Sequence, residues 1–176
     1  MQTKILITGP PRSGKSTLIS RVLDHFRKEN LTISGFLTPE VGKNERRIGF
    51  DILDIPSGER VALARKGDFD TPHHLGSYAL FMDAFESFLE FKIIPEYQNT
   101  EVILIDEIGK MELRSPLFER LIREIFTGET PVIATIGLNL RHPIKEEILQ
   151  QSNVIQYRLD RSNFEEIFTE ILNRMV

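Results

Sequence analysis

One stretch constrains this chain more than any other: Gly9-Pro10-Pro11-Arg12-Ser13-Gly14-Lys15-Ser16-Thr17, set between two apolar segments of different period. Before it, Lys4 to Thr8 (KILIT) is a short apolar run of the kind that makes a buried parallel strand. After it, Leu18, Val22 and Phe26 recur at i, i+4 and i+8 with Ile19 and Leu23 beside them, which gives a helix one broad apolar face. Strand, glycine turn and helix in that order open an α/β domain.

The turn matches G-x-x-x-x-G-K-[ST], the Walker A phosphate loop, and it stands where that motif must stand, after a strand and at the start of a helix. Gly9 and Gly14 let the backbone turn and approach phosphate oxygens with no Cβ in the way. Successive N–H groups then form an anion nest at the positive end of the helix dipole. Lys15 brings a formal charge to the β- and γ-phosphates, and Ser16 offers a hydroxyl to Mg²⁺, a hard ion that takes oxygen ligands. Arg12 stands where many such loops carry a third glycine. Its side chain is expected to point outward, toward a nucleotide or a partner.

A phosphate loop needs a carboxylate across the sheet. Val102-Ile103-Leu104-Ile105-Asp106-Glu107 has the form of a Walker B segment, with Asp106 at the strand's carboxyl end as the metal carboxylate. Glu107, next to it, is placed to orient and deprotonate an attacking water, which favours hydrolysis over transfer to an acceptor. Thr135, closing Val132-Ile133-Ala134-Thr135, is a candidate sensor of the γ-phosphate or simply a strand-end β-former. His142, before Pro143, reads as a helix cap. His25, His73 and His74 have no cysteine or carboxylate at ligand spacing, so a zinc site has no support.

The rest of the chain supplies the scaffold. Residues 33–64 read as an antiparallel insertion beside the main sheet: strands Ser34–Val41, Arg47–Ile55 and Arg60–Ala64, with turns at Gly42 and Asn44 and at Pro56-Ser57-Gly58. The basic cluster Lys43–Arg47 reads as a solvated hairpin turn. Ser77 to Ile94 reads as a helix with Phe81, Phe85, Phe88 and Leu89 on its core face. Glu101–Ile105, Pro131–Ile136 and Val154–Leu159 read as further strands. Ser115 and Pro116 open one helix as N-cap and first residue, His142–Gln151 forms another, and Ser162-x-x-Glu165 is a capping box for the last, which turns Ile167, Phe168, Ile171 and Leu172 inward.

Length and composition narrow the function classes. The 176 residues suit a single domain, 1–176. With 22 Lys and Arg against 26 Asp and Glu there is no basic excess of the kind a duplex-binding surface shows, so nucleic acid has no support as a partner. No apolar run reaches the roughly 18 residues of a membrane span. The start MQTKILITG lacks a secretory layout, and zero cysteines rule out a disulfide scaffold or a cysteine nucleophile, which fits a cytoplasmic protein.

Taken together, ITGPPRSGKST, VILIDEIGKMEL (102–113), SGFLTPEV (34–41), IGFDILD (48–54), LGSYAL (75–80) and VIATI followed by His142-Pro143 lie in one order over nearly the whole chain. In these stretches the sequence resembles the nucleoside-triphosphatases of the thermophilic phosphatase type, which include a cancer-related human relative. The resemblance implies a three-layer, RecA-like P-loop core with a mostly parallel sheet and an antiparallel hairpin insertion. It implies Mg²⁺-dependent hydrolysis of ATP, GTP, CTP and UTP to diphosphate and phosphate, slow and loose in base preference. It implies that the triphosphate lies on Gly9, Pro10, Pro11, Arg12, Ser13, Gly14, Lys15, Ser16 and Thr17. Asp106, Glu107, Ile108, Gly109, Lys110, Met111 and Glu112 would line the site, with Ser16 and Asp106 serving the metal and Glu107 and Lys15 the chemistry. Arg12 departs from the glycine usual in that family's loop. Two other readings stand beside it: a small nucleoside or nucleotide kinase with Arg114, Arg120, Arg123 and Arg141 clamping an acceptor, and a nucleotide-gated switch with an unidentified protein partner docking at Arg12 and the hairpin near Lys43.

Overall fold

The structure is a computed structural model that describes residues 2–175. Its ten strands form one sheet with two characters. In one half, β10 (Val154–Arg158), β1 (Lys4–Thr8), β9 (Val132–Ile136), β8 (Val102–Ile108) and β2 (Ile33–Leu37) lie side by side in that order, every neighbouring pair parallel. In the other half, β4 (Arg46–Asp54), β5 (Arg60–Lys66), β7 (Tyr78–Leu80) and β6 (His74–Leu75) continue from β2, all antiparallel, and β3 (Glu40–Lys43) pairs with β4.

Helices cover both faces of the parallel half, which is why its strands are apolar on both sides. On one face lie α1 (Lys15–Lys28) and α5 (Phe164–Met175); Leu18, Val22, Phe26, Ile167 and Ile171 meet Ile5, Ile7, Leu104 and Ile133 from the sheet. On the other lie α2 (Met82–Phe88), α3 (Pro116–Thr127) and α4 (Pro143–Leu149), packed on Leu6, Phe36, Ile103, Ile105 and Ala134. Phe36, Phe85 and Phe118 join strand to helices as an aromatic group with centroids 5.4–6.0 Å apart. These are the three layers expected.

Several local expectations need correction. Ser34–Val41 is not one antiparallel strand: β2 belongs to the parallel sheet, paired with β8, and the chain breaks at Pro39 before β3 begins. The antiparallel part therefore starts at Glu40 and runs to Leu80. Tyr78–Leu80, placed in a helix from the sequence, is instead a strand that extends β5, and the helix begins only at Met82. Phe81 consequently leaves the core face and packs edge-on against Phe69, while Phe85, Phe88 and Leu89 enter the core as expected. The Ser162–Glu165 box does not form. The Ser162 hydroxyl donates to Asp160, and Glu165 pairs with Arg21 across to α1. Ser115 does cap α3, its Oγ accepting from the Phe118 N–H at 3.0 Å with Pro116 at the first position.

Candidate active site

The strand order sets the site. β1 leads into the phosphate loop and β8 ends in the acidic pair, with β9 between them, so three carboxyl ends converge on one edge of the sheet. Ligands of open parallel sheets bind outside such an edge.

In the loop, the Ser13 N–H donates to the Pro10 carbonyl at 3.1 Å and the Leu18 N–H to the Gly14 carbonyl at 2.8 Å, which starts α1 directly at Lys15. Gly14 takes φ 97°. Arg12 takes φ 62°, so the position where a third glycine is usual holds the left-handed backbone that glycine would favour, in an arginine whose side chain is exposed. Gly9 has no such φ. It must be glycine for space, since a Cβ there would lie 2.6 Å from the Leu159 carbonyl oxygen. Lys15 folds back over the loop, its Nζ donating to the carbonyl of Gly9 at 2.9 Å and of Pro10 at 3.4 Å.

A cavity of about 1140 Å³ opens above this loop. Its walls include Gly9, Pro11, Arg12, Ser13, Gly14, Lys15, Ser16 and Thr17 on one side and Asp106, Glu107, Gly109, Lys110, Met111 and Glu112 on another. Two expected site residues stand apart. The Pro10 ring is off the wall and contributes its carbonyl alone, and Ile108 is fully buried in the core against α2 and α3. Burial of Ile108 follows from β8 running on through Asp106 and Glu107 to end at 108 rather than at 105.

Asp106 is the best-held carboxylate. The Thr135 hydroxyl donates to its Oδ1 at 2.6 Å. Burial raises its affinity for a proton, while hydrogen bonds with the Thr135 and Ser16 hydroxyls and the nearby Lys15 charge pull the other way. Thr135 is itself fully buried and off the cavity wall, and its hydroxyl is turned to Asp106. Glu107 is also raised, by burial and then by the Asp106 charge, with Lys15 opposing. Glu112, 3% exposed, is pushed up to about 8 by burial and by the charge of Glu107. Gly109 lets these two glutamates converge: a Cβ at that position would sit 2.6 Å from Glu112 Oε2 and 3.1 Å from Glu107 Oε1.

The donor set suits a small hard cation. Ser16 and Asp106 each bring an oxygen to the cavity wall. Among the described residues no group of three or more His, Cys, Asp and Glu side chains could cage a metal unaided. An ion such as Mg²⁺ takes one or two protein oxygens and completes its shell with water and substrate phosphates, and Ser16 and Asp106 could supply that pair.

Sequence reasoning missed part of the wall. Glu40, Glu45, Arg47, Phe50, Lys66 and Leu75 face the cavity from the antiparallel half, and Gly137 to Leu140 from the loop after β9. The Lys43–Arg47 turn is a hairpin as expected, with Asn44 and Glu45 both at positive φ, yet it is more than solvated surface. Arg47 pairs with Glu40 and donates to the Tyr78 hydroxyl. The four arginines of an acceptor clamp are absent from the wall, and Arg123 is engaged by Glu119 and Glu147. His142 caps α4, its Nδ1 accepting from the Ile144 N–H at 3.2 Å. His74 meets the Thr71 carbonyl, and His25 lies edge-on to Phe26 and Phe168. No helix among the described residues is long and apolar enough to cross a membrane.

Known proteins share this arrangement. The profile of the NTPase family matches residues 4–172. A nucleoside-triphosphatase THEP1 from Methanopyrus kandleri is 32% identical over 100% of this chain and 97% of its own length. The crystal structure of THEP1 from the hyperthermophile Aquifex aeolicus superimposes with a TM-score of 0.81 at 34% identity, over 97% of this chain and 98% of that one. The solution structure of a human cancer-related nucleoside triphosphatase gives 0.78 at 30% identity, over 97% and 96%. With its phosphate loop, its acidic strand end and its three layers accounted for, this chain belongs to the NTPase family.

Proposed function

We propose that this protein hydrolyses nucleoside triphosphates, ATP, GTP, CTP and UTP alike, to diphosphate and phosphate, slowly and with Mg²⁺, in the cytoplasm. The observation that carries the reading is convergence: Lys15 and Ser16 from the start of α1 share one cavity with Asp106 and Glu107 from the end of β8, some 90 residues on. Each residue then has a task. The backbone N–H groups of the loop, which runs from Gly9 to Thr17 and lacks donors at Pro10 and Pro11, cradle the phosphate tail. Lys15, released from its own loop carbonyls, neutralises charge on the β- and γ-phosphates. Ser16 and Asp106, the latter steered by Thr135, would hold Mg²⁺, which when bound supplies further charge neutralisation. Glu107 orients water in line with the γ-phosphorus and takes its proton. All of these groups address the triphosphate, and none addresses the base, which supports a loose base preference.

The test is phosphate release from the four triphosphates, with and without Mg²⁺, for the native chain and for Glu107→Gln. Release should require the metal and vary little between bases. It should fall by about 10²-fold or more in the variant, the lower range for losing a general base, with nucleotide binding retained. Native turnover in Glu107→Gln would remove Glu107 from the chemistry. Undiminished nucleotide affinity in Lys15→Ala would contradict the phosphate-loop assignment.

A further inference from the structure

Thr38 lies within the SGFLTPEV stretch without a role so far, yet its Oγ1 is buried and finds no hydrogen-bond partner among the described residues. A hydroxyl left in that state is destabilising. Four other residues also keep a buried oxygen unpartnered, and of these only Ser13 shares the cavity wall with Thr38. Ser13 is part of the phosphate loop; Thr38 comes from a different strand.

Strand register says where the hydroxyl stands. Phe36 lies beside Ile105 and Leu37 beside Asp106, so Thr38 follows directly on the residue that flanks the metal carboxylate. Phe36 and Ile105 both pack into the core beneath α2 and α3. Leu37 packs on the α1 side. The chain is held there: Pro39 follows and ends the strand, and its carbonyl accepts from the Asp51 N–H at 3.0 Å. Thr38 therefore stands next to the strand that carries Asp106 and Glu107 and lines the same cavity as both.

We infer that Thr38 Oγ1 and Glu107 together hold the attacking water. This rests on the hydrolysis reading above and adds a residue to it. A water aligned for in-line attack must turn a lone pair toward phosphorus while both its hydrogens find acceptors. Glu107 takes one hydrogen and the Thr38 oxygen accepts the other. As the water oxygen bonds to the γ-phosphorus, its proton passes to the Glu107 carboxylate. The bond from phosphorus to the bridging oxygen breaks, and the electron pair leaves on the β-phosphate. Thr38 neither gains nor loses a proton in the step; it fixes the direction of attack.

The experiment compares the native chain with Thr38→Val, which keeps the shape and removes the hydroxyl, and Thr38→Ser, which restores it. Phosphate release from ATP with Mg²⁺ is followed beside thermal melting. Thr38→Val should lower kcat by about ten- to a hundredfold, the loss of one hydrogen bond at a charged transition state, with KM within about twofold. Its melting temperature should be unchanged or higher, because the unpartnered hydroxyl is gone. Thr38→Ser should recover kcat to within about threefold. Native kcat in Thr38→Val would overturn the inference, as would a rise in KM alone, or a serine variant as slow as the valine one. If Thr38→Val does not fold, Thr38→Ala takes its place with the same expected and overturning results. Absence of Mg²⁺-dependent release in the native chain would instead sink the hydrolysis reading itself, and Thr38 with it.

Discussion

The two edges of the parallel sheet treat buried charge in opposite ways. At the amino edge, Lys4 is fully buried at the start of β1, where the apolar run of the sequence gave no reason to expect an ammonium inside. Its Nζ donates to the Ile125 carbonyl at 3.0 Å, in the last turn of α3, and to the Thr130 carbonyl. Burial lowers it to about 8, with the Glu129 charge opposing. At the carboxyl edge, Asp106, Glu107 and Glu112 crowd together, each pushed up by burial, and Glu107 and Glu112 further by their neighbours' charge. The first edge ties a charge to carbonyls that would otherwise be orphaned at a helix end. The second holds like charges near one another and near Lys15, an arrangement that a cation and a triphosphate would relieve. The difference teaches that the amino edge is arranged for stability and the carboxyl edge for a ligand.

That contrast can be broken by mutation. The largest effect is expected at the carboxyl edge: Glu107→Gln should cut phosphate release by about 10²-fold or more while leaving the melting temperature unchanged or raised, since a repelling charge is removed. A fall in melting temperature along with activity would make Glu107 structural. Lys4→Met should do the reverse. Leaving two carbonyls without a donor costs about 1–3 kcal/mol, or roughly 2–10 °C in a chain this size, with kcat unaltered in the folded enzyme. A variant that melts like the native chain would show the lysine is dispensable.

Glu112 sharpens the comparison through pH. An unfolded glutamate loses its proton near 4.5, whereas the buried one holds it up to about 8. The native state thus binds more protons between those values. Stability contributed by this group is fully present below about 4.5 and is lost as pH rises toward 8. Melting curves of the native chain and Glu112→Gln across that window should show the loss in the former and a flatter profile in the latter; parallel profiles would refute the shift. The smallest effect is expected at Arg12, which holds φ 62° without the freedom of glycine. Arg12→Gly should change stability by no more than about 1 kcal/mol, as relief of strain opposes added chain entropy. A weaker nucleotide affinity in that variant would give the exposed side chain a binding role.

Much of this protein is legible residue by residue. KILIT, VILID and VIATI are buried strands because only a strand covered on both faces tolerates such runs, and GPPRSGKST turns where its glycines and proline-rich start require. Ser115-Pro116 caps α3 through a contact three residues away. The failures are instructive for the same reason. Tyr78–Leu80 has helical spacing, but β5 offers its free edge, and the pairing prevails over local period. Ser162 could cap α5, but Asp160 takes its hydroxyl and Arg21 takes Glu165.

Local chemistry thus settled the motifs, because a phosphate loop, a cap or a buried strand depends on neighbours within a few residues in the chain. The order of strands settled everything else. It set β9 between β1 and β8, so that Thr135 steers Asp106; it put β2 beside β8, so that Thr38 shares a cavity with Glu107; and it brought Arg47, Phe50 and Lys66 of the antiparallel half to the cavity wall. Those partnerships join residues roughly 30 to 70 positions apart, and no period or spacing along a chain encodes which distant strand will lie alongside.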